Sequence, residues 1–200
     1  MLCDACRGSL RPVSEPRCAL CGAPTAWPVA RCRECAGRRL AFDSARAAVL
    51  YLGPVRPFMR SWKERGLRGS ADLAAEIVAR RVPLPAADVV TPIPPDAVRQ
   101  LVRGRHPAVE LAQTLGTHWG LEHAQLLARA GGARRQTGLG RAARAGNVRG
   151  AFVARRAVPD RVVLVDDVYT TGATASAAAA ALKGAGARSV QVVTFARTVR

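Results

Sequence analysis

The sequence predicts an α/β domain built on a mostly parallel sheet and preceded by a small cysteine-rich module. Three observations carry that expectation. All six cysteines fall within the first 35 residues, as the pairs Cys3/Cys6, Cys18/Cys21 and Cys32/Cys35. Val162 to Val165 is a continuous β-branched and leucine run, as a strand covered on both faces requires. Strand-like and helix-like segments then alternate to the end of the chain, the order that folds as a parallel sheet flanked by helices. Composition bounds the function. Lys and Arg number 31 against 14 Asp and Glu, for a formal net charge of +17, and Lys63 and Lys183 are the only lysines. A hydrophobic fraction of 49% argues against a disordered basic tail, because enough apolar surface exists to offset chain ordering. No apolar run approaches the ~18 residues of a membrane span. The Met1-Leu2-Cys3-Asp4 start has neither a basic nor an apolar leader region. The expectation is a cytoplasmic, soluble protein with no membrane insertion and a surface that seeks anions.

Each cysteine pair has C-x2-C spacing, which lets two thiolates face one metal ion, and two pairs complete a tetrahedral Zn2+ site. Disulfides explain the pattern less well in a reducing compartment. Cys18, Cys21, Cys32 and Cys35 are the expected ligands. Gly22 supplies the positive φ a knuckle often needs, and the ten-residue gap before Cys32 is ribbon-like. The set Cys3, Cys6, Cys18 and Cys21 is an open alternative. A closed four-thiolate site has no free coordination position, so its zinc would be structural, a staple for a segment with little apolar periodicity.

Beyond the cysteines, Ala45 to Leu52 reads as a strand closed by Gly53-Pro54. Residues 55–65 and 70–81 read as helices, the second with Leu73, Ile77 and Val78 on one stripe. Ala87 to Ile93 is a short strand that Pro94-Pro95 ends. Residues 108–119 read as a helix, 124–128 as a strand, and 130–150 is Arg/Gly-rich with weak patterning. A strand over 161–165, an alanine-rich helix over 173–184 and a strand over 189–196 complete the chain. The expected division is a cysteine-rich zinc finger over 1–41 and an α/β domain over 42–200, with 42–85 a hood-like strand and helices and 86–200 the sheet core.

The most informative segment is residues 162–174, VVLVDDVYTTGAT. Two adjacent carboxylates, Asp166 and Asp167, stand at the carboxyl end of an apolar strand, where open α/β sheets bind ligands. Neighbouring carboxylates repel, so the pair calls for a donor-rich ligand such as ribose hydroxyls, with Mg2+ nearby. Thr170, Thr171, Gly172, Ala173 and Thr174 then turn into the alanine-rich helix. Backbone N–H groups, the helix dipole and threonine hydroxyls there suit a phosphate.

These thirteen residues resemble the phosphoribosyl pyrophosphate (PRPP) signature of type I phosphoribosyltransferases. The whole chain resembles the ComF family of competence-associated proteins, which join an N-terminal zinc finger to that fold. The likeness extends to Phe42-Asp43-Ser44-Ala45-Arg46, Lys63-Glu64-Arg65-Gly66, Pro92-Ile93-Pro94, Gln136-x-Gly138-Leu139 and Asn147-Val148-Arg149-Gly150-Ala151-Phe152. It implies a type I phosphoribosyltransferase fold and possible transfer of a phosphoribosyl group with pyrophosphate release. It also implies that Asp166 and Asp167 bind the ribose 2′- and 3′-hydroxyls and act in catalysis, and that Thr170 to Thr174 hold the 5-phosphate. The Pro94-Pro95-Asp96 turn would lie beside the pyrophosphate. Arg103-Gly104-Arg105-His106-Pro107 stands where many members have R-G-F-N-Q.

Developing charge on a departing pyrophosphate needs cationic clamps. Arg99 and Arg135 are the PRPP-binding candidates, with Arg103, Arg105 and Arg134 nearby. His106, His118 and His123 are scattered, and no cluster identifies the acceptor. Trp62 and Trp119 read as packing anchors. A second expectation is an accessory role in DNA uptake, with single-stranded DNA and competence-machinery proteins as partners. Eight arginines and no acidic residue lie between Glu122 and Asp160, a stripe suited to non-specific backbone contact.

Overall fold

The computed structural model describes residues 2–66, 69–95, 106–130 and 150–199. In chain order the elements are α1 (Asp4–Gly8), β1 (Ser44–Leu50), α2 (Val55–Arg65), α3 (Ser70–Arg81), β2 (Val89–Pro92), α4 (Pro107–Trp119), β3 (Glu122–His123), β4 (Leu127–Arg129), β5 (Phe152–Ala154), β6 (Arg161–Tyr169), α5 (Ala173–Gly184) and β7 (Ser189–Arg197). The main sheet has five strands in the order β1-β7-β6-β2-β3, with every pairing parallel. A separate antiparallel ribbon pairs β4 with β5. The expected class, a mostly parallel sheet flanked by helices behind a cysteine module, is the class observed.

Burial on both faces explains the strand composition. Val162 and Leu164 of β6 point to one face, and Val163 and Val165 to the other, all essentially inaccessible. One face is covered by α2, α3 and α4. In α2, Val55, Phe58, Met59 and Trp62 are buried at the i, i+3, i+4, i+7 spacing of a single helical stripe. In α4, which begins with Pro107 at a position where its missing N–H costs nothing, Ala108, Leu111, Ala112 and Leu115 do the same. The opposite face is covered by α5, through Ala175, Ala178, Ala179 and Leu182, and by the cysteine module with the β4–β5 ribbon.

Some boundaries differ from the sequence expectation. β6 runs to Tyr169, four residues past Val165, because Asp166, Val168 and Tyr169 continue the register against Thr194, Ala196 and Arg197 of β7. The strand expected over 124–128 is shifted. Glu122–His123 pairs with β2 as an edge, and Leu127–Arg129 leaves the sheet to pair with β5. The one-turn helix α1 carries no apolar stripe and was not expected. No helix among the described residues is long and apolar enough to cross a membrane.

Candidate functional site

The end of β6 places two carboxylates where the sheet opens. Asp166 is half-buried and Asp167 buried. Each backbone N–H that follows donates back to the preceding carboxylate: Asp167 N to Asp166 Oδ1 at 2.9 Å and Val168 N to Asp167 Oδ1 at 2.8 Å. The two groups are electrostatically unequal. Asp167 Oδ2 lies 2.5 Å from Nζ of Lys63, in the last turn of α2. Burial, and then the charge of Asp167, push the Asp166 carboxyl well above the usual range, with Lys63 opposing weakly. In the sequence Lys63 stands out only as part of the Lys63-Glu64-Arg65-Gly66 motif. Its pairing with Asp167 joins residues 104 positions apart, which spacing alone does not reveal.

The chain then turns through Thr170 and Thr171 into α5. Gly172 has φ 73°, and a Cβ there would lie 2.3 Å from the Tyr169 hydroxyl, so both conformation and space demand glycine. Thr171 Oγ1 accepts from Ala173 N at 3.3 Å. A small cavity of about 20 Å³ lies between Asp166, Thr170, Gly172, Thr174 and the buried Thr194 of β7. The loop, the helix start and the Asp166 carboxylate therefore converge on one spot, while Asp167, the next strand residue, turns to the α2 face and pairs with Lys63. Ile93, at the end of β2, donates its N–H to Val165 O at 2.8 Å, which brings the Pro94-Pro95 turn alongside. Nε of Arg129 reaches the carbonyls of Pro94 and Pro95 at 3.2 and 3.1 Å. Asp96, Arg99, Arg103, Arg105, Arg134, Arg135 and Gln136 lie outside the described residues.

Behind the loop, Tyr169 is buried, with Phe42 edge-on at 6.2 Å and the guanidinium of Arg197 over its ring at 5.3 Å. Arg197 is 1% exposed. Its Nη1 donates to Cys21 O at 2.6 Å and its Nη2 to Glu34 Oε2 at 2.9 Å. A buried arginine is tolerable only when paired in this way. In the sequence Tyr169 stands only as a member of the 162–174 motif, and Arg197 lies just past the strand expected over 189–196.

The cysteine module presents a second constellation. The sulfurs of Cys18, Cys21, Cys32 and Cys35 are buried and all lie within 4.8 Å of one another. Sulfur pairs stand at 3.6 Å (Cys18–Cys35), 3.4 Å (Cys21–Cys32) and 3.9 Å (Cys32–Cys35). A tetrahedral zinc with metal–sulfur bonds of about 2.3 Å has sulfur–sulfur edges of about 3.8 Å, so the cluster fits. Cys3 is exposed and Cys6 half-buried at α1, outside this group, so of the two sets left open by spacing it is Cys18, Cys21, Cys32 and Cys35 whose sulfurs lie close enough to share one ion. Burial works against ionising Cys18, but N–H groups of Cys21 and Cys32 prevail and bring its thiol down to about 7. Burial drives the Cys21 thiol the other way, upward. Gly22 has φ 68°, and a Cβ there would meet Ala45 O at 2.3 Å, so the knuckle is pressed onto β1.

Comparison with known proteins adds the following. No protein-family model matches the chain. It is 27% identical over 208 residues to competence protein F of Haemophilus influenzae, covering 98% of this chain and 90% of that one. Among solved structures it is similar to an allosteric regulatory enzyme of purine biosynthesis (24% identity, TM-score 0.45, 62% of this chain and 25% of that one). It is also similar to the glutamine PRPP amidotransferase of B. subtilis complexed with ADP and GMP (25% identity, TM-score 0.39, 62% and 24%). This chain thus spans about a quarter of those two larger proteins. The resemblance to the ComF family read from the sequence extends over nearly the whole chain, on a parallel α/β fold behind a four-cysteine cluster.

Proposed function

We propose that the chain binds PRPP at the end of β6 and is a phosphoribosyltransferase-like protein of the ComF type. The observation that supports this best is the convergence of Asp166 with Thr170, Gly172 and Thr174 of the following loop around one cavity, with Asp167 next in the strand. In this reading the carboxylates accept hydrogen bonds from the ribose 2′- and 3′-hydroxyls. The N–H groups and hydroxyls of Thr170, Thr171, Gly172, Ala173 and Thr174 hold the 5-phosphate, helped by the positive end of α5. Lys63 offsets the charge of Asp167. Mg2+ arriving with PRPP would neutralise diphosphate charge, and Arg99 and Arg135 would add cationic contacts. Transfer breaks the C1–oxygen bond, whose electron pair leaves with pyrophosphate. The oxocarbenium-like centre is then captured by an acceptor, which gives up a proton. Zn2+ held by Cys18, Cys21, Cys32 and Cys35 would be structural, stapling residues 1–41 onto the 42–200 domain.

A pyrophosphate-release assay with PRPP, magnesium and a panel of bases and amines tests turnover. Transfer predicts release with at least one acceptor, abolished in Asp167→Asn. Release with none, alongside intact PRPP binding, leaves a binding protein. Likeness to a competence protein supports a role in DNA uptake, in contact with other competence proteins.

One observation favours a second reading, non-specific binding of single-stranded DNA. Trp27 is 68% exposed and lines an open groove of about 790 Å³ with Arg31 and Arg33 on the cysteine module. An exposed indole beside guanidinium groups offers a stacking surface and phosphate contacts together. Single-strand affinity that ignores both Trp27→Ala and added salt would dismiss it.

A further inference from the structure

We propose that Arg38, on the cysteine module, is a positioning residue for the substrate's 5-phosphate; this rests on the PRPP reading above. Arg38 lies three residues beyond Cys35, and its backbone is fixed by the module. Its N–H donates to Cys35 O at 3.2 Å, and its carbonyl accepts from Arg31 Nη1 at 3.0 Å. From there its Nη1 reaches across to Thr171 O at 2.6 Å. That carbonyl belongs to the peptide linking Thr171 to Gly172. In a trans peptide the C=O and the following N–H point in opposite directions. Holding the Thr171 carbonyl toward the module therefore turns the Gly172 N–H to the other side of the loop. Thr170, Gly172 and Thr174 line the cavity, and the Thr171 carbonyl, held by Arg38, is not part of that lining.

Two further ties hold the same few residues. Ser176 Oγ, in the first turn of α5, accepts from Ala41 N at 3.0 Å. Arg197 grips Cys21 and Glu34 while covering the ring of Tyr169, whose hydroxyl lies under Gly172. Such ties limit how far the module can shift against the loop. A preset array of N–H donors binds an anion without spending affinity on ordering itself. The cysteine centre is thereby part of the substrate site, although none of its sulfurs faces the substrate cavity.

The test uses the full-length, metal-loaded chain. Calorimetry compares ribose 5-phosphate with magnesium pyrophosphate for wild type, Arg38→Ala, Arg38→Lys and Arg39→Ala, the last removing an equal charge one residue away. Arg38→Ala is expected to lose about tenfold or more in affinity for ribose 5-phosphate while keeping its affinity for pyrophosphate. Arg38→Lys should recover part of the loss, and Arg39→Ala should match wild type. Equal losses for both ligands, or no difference between Arg38→Ala and Arg39→Ala, would overturn the proposal. Amide exchange without ligand gives an independent readout: residues 172–174 should exchange faster in Arg38→Ala, and unchanged exchange counts against the proposal. If wild type binds neither ligand, the PRPP reading itself is wrong, an outcome distinct from a silent Arg38→Ala.

Discussion

The two faces of the sheet are held by different physics. Under α2, α3 and α4 the interior is filled by bulky apolar side chains, Phe58, Met59, Trp62, Leu111, Leu115 and Phe195, with the Phe58 and Phe195 rings 5.3 Å apart. Under α5 and the cysteine module the buried set is rich in alanine and cysteine, and directed polar contacts from Arg38, Asp43 and Arg197 join its parts. Removal of apolar surface from water stabilises the first face, whatever the detailed orientation. The second also buries large apolar side chains, among them Leu126, Leu127, Phe152 and Leu164, but adds hydrogen bonds and a metal-sized sulfur cluster that fix orientation. The candidate substrate loop lies on the second face, where orientation matters more than bulk.

The largest way to break this contrast is to remove the metal. Cys32→Ser or a strong chelator should release about one zinc per chain, since binding to such four-ligand sites is worth about 10–16 kcal/mol in small zinc peptides. Thermal melting should fall sharply and PRPP affinity with it, while Cys3→Ser keeps its zinc; metal analysis beside a melting curve reads both. Leu111→Ala, on the opposite face, should cost about 2–5 kcal/mol in urea unfolding. At temperatures where this variant is folded, PRPP affinity should stay near wild type. A parallel loss of affinity would show that the faces are not independent.

Gly172→Ala probes the junction itself. A left-handed residue with a side chain costs about 1–2 kcal/mol, and the added methyl displaces Tyr169. PRPP affinity, measured by calorimetry, should suffer more than the melting temperature.

How much of this was legible beforehand follows from sequence distance. The β6–α5 segment was readable because its strand, carboxylates and loop are contiguous, although the strand expected to end at Val165 runs on to Tyr169. Which cysteines cluster was not decided by repeated C-x2-C spacing, because all three pairs share it; it shows only in the fold, which brings Cys32 and Cys35 beside Cys18 and Cys21. The contact of Arg38 with Thr171 spans 133 residues and carries no motif. Among so many arginines nothing in the sequence marks Arg38 or Arg197, and only packing selects them.

The smallest expected effect concerns Asp43, which accepts from Lys183 Nζ at 2.6 Å and Val190 N at 2.7 Å. Burial works to raise its pKa, but these donors prevail and hold it below the usual carboxylate value. A folded-state pKa below the unfolded one adds stability above the unfolded pKa, and that stability is lost as pH falls through the folded value. Because both side chains are partly exposed, the contribution is about 0.5–1 kcal/mol. Asp43→Asn should lower the melting temperature slightly at neutral pH and flatten its decline below about pH 4.

The central claim is that the end of β6 recognises PRPP. Calorimetric titration of PRPP with magnesium into the full-length protein tests it most directly. Saturable binding to wild type should disappear in the Asp166→Asn/Asp167→Asn double variant, with both proteins folded and zinc-loaded. Normal PRPP binding by the double variant would contradict the claim.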